Sequence, residues 1–160
     1  MMSRINPSVL EAVVLSLWLG AAALFSVTVA PAAFAVLPSR SLAGAIVGRV
    51  LPAVFYAAMV AGFVVGLLEV TGRGASLLRG RGLAAVIVVA TSAIAQFIVG
   101  SRIERIRAAI AGPIESLSSD DARRLAFGRL HAESVGLLGV AMIAAFVAVV
   151  LAVRSIQPRS

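Results

Sequence analysis

The side chains able to do chemistry in this chain are few. There is one imidazole, His131, no cysteine, and seven carboxylates set against fourteen basic residues, every one of them arginine. Without a thiol there is no thiolate nucleophile, no disulfide framework and no cysteine-based metal or iron–sulfur site. A lone imidazole would need further ligands to hold a metal, and the thioethers of Met59 and Met142 sit in apolar stretches where core filling is their ordinary use. No Walker loop, GxGxxG, GxSxG or HExxH motif occurs in the chain. The expectation is therefore a protein that is not an enzyme, with no catalytic residue, no cofactor and no metal site.

What remains is a set of charged groups that fall just outside long apolar runs. Arg49, Arg102, Glu104, His131 and Glu133 form the candidate polar cluster, with Arg40 and Arg105 beside them. A carboxylate near an arginine or histidine makes a charge-assisted pair that fixes helix packing, coordinates a ligand headgroup or handles a proton. Arg102 and at least one of His131 and Glu133 are expected to approach each other where helices three and four leave the bilayer.

The elements that would position this cluster follow from the charge-free windows. Ala12 to Ser39, Val50 to Leu68, Gly82 to Ser101 and Ser134 to Val153 carry no charge over 28, 19, 20 and 20 residues. Each meets the roughly 18 to 20 residues needed to cross a hydrocarbon core of about 30 Å. The windows lack the alternation of a membrane barrel, and an isolated strand cannot satisfy its backbone in lipid, so four transmembrane helices are expected. The composition agrees, with 61% hydrophobic and 13% charged residues, against about 45–50% and about 25% in a soluble domain. The predicted fold is all-α, an integral membrane four-helix bundle in one domain, 1–160. Its spans are expected near 12–36, 50–69, 83–101 and 134–153, with helices three and four extending beyond the bilayer through a helical segment, 102–133. An even number of spans puts both termini on one side. The apolar start followed by Ala33-Phe34-Ala35 has a rival reading as a signal peptide, but it exceeds the about 7–15 residues of a usual signal core.

Local signals refine these limits. Ser41 is expected to cap a helix that begins before Arg49, and Pro31 to bend the first span. Gly72 to Gly82 reads as a short basic loop whose default partners are lipid phosphates, with Glu11 and Glu69 facing it for salt pairing. Gly112-Pro113 should stop the third helix, and Ser118 with Asp121 has capping-box spacing for the start of the fourth. Gly44-x-x-x-Gly48 and Ala58-x-x-x-Gly62-x-x-x-Gly66 would let helix two approach a neighbour closely, within the bundle or in a homodimer.

The net charge of +7 is dispersed in short patches, which fits membrane flanks and not a nucleic-acid stripe. The terminal side holds six arginines and the other side eight, too small a bias to set the orientation. The exclusive use of arginine together with abundant Ala, Val, Gly and Leu points to a GC-rich genome and so to a bacterial plasma membrane.

The order Trp18-Leu19-Gly20, Phe25, Val29, Pro31, Phe34, Leu37-Pro38, then Ala43-Gly44, Pro52 and Phe55-Tyr56 resembles the transmembrane protein 205-like family. Ser101-Arg102-Ile103-Glu104 and Phe127-x-x-Leu130-His131-x-x-Ser134 are similar to that family's motifs after helix three and before helix four. The resemblance spans most of residues 10 to 153 and implies a four-span membrane domain. This chain departs from the expected pattern at Gln96 for Asn, Ser101 for Pro and Leu138 for Asn, which weakens the case for an intact polar family site. The functional expectation is a non-enzymatic polytopic membrane protein, either acting alone or as an accessory subunit of a membrane complex. A small transporter or a metal- or haem-handling membrane protein is the alternative. The expected partners are the lipid bilayer and a homo-oligomer or membrane-complex subunit, with no nucleic acid.

Overall fold

A computed structural model of the chain describes residues 6–71 and 80–156. Four long helices account for most of them: α1 (Pro7–Val36), α2 (Arg40–Thr71), α3 (Gly80–Ala108) and α4 (Ala122–Ile156). The last three each contain one of the charge-free windows, α1 holds the first window as far as Val36, and all four are long and apolar enough to span a bilayer. The centre of the basic loop, with Arg73 and Arg79, lies outside the described residues.

The helices stand in a ring, each packed on its neighbours in sequence, with α4 closing onto α1. The inner faces are built largely from alanine, including Ala22, Ala58, Ala85, Ala141 and Ala145, with Leu15, Trp18, Phe55 and Val88 filling the remaining space. Lipid supplies no hydrophobic drive between helices, so small residues that let backbones close up carry the packing. The large apolar side chains point outward instead, Leu17, Val27, Phe63 and Ile143 among them. In water that surface would be an aggregation hazard; in a bilayer it matches the solvent. The protein is an integral membrane helical bundle.

Two helices approach closely at Gly62, where an added Cβ would stand 2.8 Å from Val89 Cγ2 and 3.1 Å from the Ala85 carbonyl of α3. Toward the other end of α2 the two helices separate. There α1 is tied to α2 by the Trp18 indole, whose Nε1 donates to the Val54 carbonyl at 3.0 Å.

Proline and caps shape the ends. Pro31 has no N–H for the helical ladder, and the turn before it, Phe25–Val29, widens to π geometry, with the Ala30 amide reaching back to the Phe25 carbonyl. Ser39, two residues earlier than Ser41, caps α2, its Oγ accepting from the Leu42 amide at 3.2 Å. At α4 the helix starts at Ala122 and the cap is Asp121 in place of Ser118. Its Oδ1 accepts the Arg123 amide at 2.8 Å, and its Oδ2 accepts from the Arg123 guanidinium, also at 2.8 Å. A carboxylate two residues before its donor satisfies an orphan amide directly, which leaves the capping box unused. The Arg123 hydrogen bonds hold the Asp121 carboxyl down at about 2 from its ordinary 3.8. At about 1.5 Å per residue, the 35 residues of α4 run about 52 Å, well beyond a hydrocarbon core of about 30 Å.

Candidate functional site

Polar side chains gather at the two ends of the bundle, and the ends are built differently. At the end bearing the first residues of α1, Arg81 of α3 reaches all four helices. Its Nη1 lies 2.9 Å from Glu11 Oε2 of α1, and its Nη2 lies 2.8 Å from Glu69 Oε1 of α2. Nη1 also donates to Ser8 Oγ at 2.7 Å and to Ser155 Oγ of α4 at 3.3 Å. Glu11 is 1% exposed. Its Oε2 has charge contact without an aligned hydrogen bond, since the Nη1 hydrogens are directed at the two hydroxyls. This clasp meets the salt pairing expected of Glu11 and Glu69, with Arg81 as the partner of both.

At the opposite end α2 and α3 diverge, and a fissure of about 840 Å³ opens between them, closed on its third side by the first turns of α4. Two backbone irregularities line it. Pro52 sits inside α2 and cannot donate to the Gly48 carbonyl, so the ladder is interrupted there. Across the fissure, α3 adopts π geometry over Ile94–Gly100, a form that recurs at functional sites. That segment carries Gln96 and Phe97, both in the lining. Gln96 lies six residues inside Arg102, about 9 Å below it along the helix, so an amide opens into the fissure at hydrocarbon depth. Tyr56 and Phe97 meet edge to face, with centroids 6.1 Å apart, linking α2 and α3.

Arg107 dominates the mouth. Its Nη2 donates to the Gly44 carbonyl at 3.4 Å, its Nη1 donates to Glu104 Oε1 at 3.1 Å, and its guanidinium stands 5.4 Å from the centre of the Phe127 ring. A Cβ on Gly48 would come within 2.8 Å of Nη1. Thus Gly44-x-x-x-Gly48 clears room for a side chain, and the close helix approach expected of such a motif falls to Gly62. His131 stacks on Phe127, with planes 4° apart and centroids at 6.4 Å, and lines the fissure with Ser134.

The polar cluster read from the sequence is divided between two surfaces. Glu104 and His131 belong to the fissure. Arg102 and Glu133 line a second, shallower groove between α3 and α4, with Arg105 and Arg129. Arg102 and Glu133 share that groove without an ion pair within 4.0 Å, and Arg49 is exposed on α2 with no ion pair among the described residues. Arg40 borders the fissure. Arg107 was not singled out by sequence reasoning; the only available signal was the pair of glycines 63 and 59 positions upstream, which does not name its partner. Among the described residues no group of three or more His, Cys, Asp or Glu side chains converges.

No curated protein and no solved structure matches the chain. A family profile does, over residues 13–111, which takes in most of α1, all of α2 and α3, and so both main walls of the fissure. The chain belongs to the family of the domain of unknown function DUF4149.

Proposed function

We propose that this is a non-enzymatic polytopic membrane protein that holds a small amphipathic molecule in the fissure between α2 and α3. The observation that carries the reading is the fissure itself: apolar walls from Leu51, Phe55 and Phe97, one amide at depth in Gln96, and charge at the mouth in Arg107 and Glu104. Ligand pockets combine a mostly apolar lining with a few polar groups that fix orientation, and volumes of about 300–1,000 Å³ are usual. A molecule lying here would place its apolar part toward the bilayer centre and its polar part beside Arg107 and His131. The absence of catalysis is part of the proposal and rests on the single imidazole and lack of thiols. A bacterial plasma membrane is supported by the arginine-only basic composition, and kinship with the transmembrane protein 205-like family by the Trp18 to Tyr56 and Ser101 to Glu104 motifs.

The test is purification from native membrane in mild detergent, followed by native mass spectrometry of the intact protein. A small molecule retained at near one per chain, and lost in Gln96→Leu and Ala45→Trp, is the expected result. Retention unchanged in both variants, or none in the native protein, would overturn the reading. A stoichiometric protein partner without a small molecule would favour the accessory-subunit role instead.

A further inference from the structure

The second groove, on the α3–α4 seam, is independent of the fissure and has a different chemistry. It encloses about 570 Å³ and is bordered by Arg102, Arg105 and Arg129, with Glu133 as its one acidic side chain. Ile106, Leu125 and Leu130 give it apolar walls. Arg105 is held by its own helix, donating from Nε to the Ser101 carbonyl at 3.2 Å, whereas Arg102 and Arg129 make no ion pair or hydrogen bond among the described residues. Three guanidinium groups against one carboxylate leave a surplus of two positive charges.

The depth of the groove identifies what it meets. Arg102 ends the charge-free window of α3 and Glu133 precedes that of α4, so both mark the edge of the hydrocarbon. Arg105 lies three residues beyond Arg102, and Arg129 four residues beyond Glu133, about 4.5 Å and 6 Å farther out. The headgroup layer is about 5–7 Å thick on each side of the core. The basic groups therefore span the level of the lipid phosphates, and Ile106 and Leu130, four residues beyond Arg102 and three beyond Glu133, lie at that same level outside the acyl chains. Arginine matches a phosphate diester with two parallel N–H donors.

We propose that this groove is a site for one anionic phospholipid, whose phosphate is bound by Arg102 and Arg129 and whose acyl chains leave the groove at its Arg102–Glu133 end, where the hydrocarbon begins. Glu133 stands in the same groove and opposes the anion, so it sets the affinity from the unfavourable side. The site also ties the extended ends of α3 and α4 to the lipid surface.

The experiment uses the full chain in nanodiscs of phosphatidylcholine containing phosphatidylglycerol, with bound lipid counted by native mass spectrometry after release. Phosphatidylglycerol retention should fall about fivefold for Arg102→Gln and more for the Arg102→Gln/Arg129→Gln pair. Glu133→Gln should raise retention, and Arg49→Gln, an exposed arginine at the same end but outside the groove, should leave it unchanged. These positions are exposed, and melting temperature in detergent reports that each variant is folded. Equal losses for Arg49→Gln and Arg102→Gln would show diffuse attraction and overturn the site. So would a fall in retention for Glu133→Gln, the result of a structural Arg102–Glu133 pair. Glycerol phosphate competing as well as the intact lipid would reduce the site to a phosphate subsite and overturn the lipid assignment.

Discussion

Replacing Arg81 with methionine should be among the most damaging single changes available at the bundle surface. The substitution keeps the apolar stem and removes the charge that joins Glu11, Glu69, Ser8 and Ser155. It leaves two carboxylates, one of them 1% exposed, without the guanidinium that lies within 2.9 Å of both. Breaking a buried pair from one side costs about 3–5 kcal/mol, because the remaining charge keeps its desolvation penalty and loses its partner. The Arg81 side chain is 22% exposed, so solvent screens part of the interaction and the lower value, about 3 kcal/mol, is expected. Unfolding by SDS in mixed micelles measures this, with the fluorescence of Trp18, the only tryptophan and part of the core, as the signal. Glu11→Gln in the Arg81→Met background should then cost less than it does alone, giving a coupling of about 2 kcal/mol. A loss below about 1 kcal/mol for Arg81→Met, the range of exposed pairs, or additive single effects, would refute the clasp as a determinant of stability.

Two glycines of α2 should respond unequally to the same change. Gly62→Ala meets the Ala85 carbonyl and Val89 across a close helix contact and should cost about 1–3 kcal/mol in the same SDS titration, whereas Gly48→Ala meets only the movable end of Arg107 and should cost less than about 1 kcal/mol. Trp18→Phe removes the hydrogen bond to the Val54 carbonyl and should lower stability by about 0.5–1.5 kcal/mol. The Asp121 carboxyl, lowered from 3.8 to about 2 by Arg123, stabilises the start of α4 above its unfolded value, and the contribution is lost as pH falls through about 2; a carboxyl carbon NMR titration should show that midpoint, and one near 3.8 would contradict it. Reporter fusions at the two termini should report the same side of the membrane, as four spans require.

The number of spans and the class of fold are written in the sequence, because a hydrocarbon core imposes a length and an absence of charge that can be read residue by residue. The windows from Val50 to Leu68 and from Ser134 to Val153 sit inside α2 and α4 for that reason. Pairing at Glu11 and Glu69 was also legible, since the span count puts both on the side of the basic loop. The rotation of each helix about its axis was not, and rotation decides which side chains meet. Glu104, His131, Arg102 and Glu133 all leave the membrane at one end, yet α3 and α4 turn the first two into the fissure and the other two into the outer groove. Spacing alone could not tell that Gly48 makes room for Arg107 while Gly62 closes on α3. Small residues permit approach without specifying the partner, and only the packed bundle fixes whether a backbone or a guanidinium fills the space.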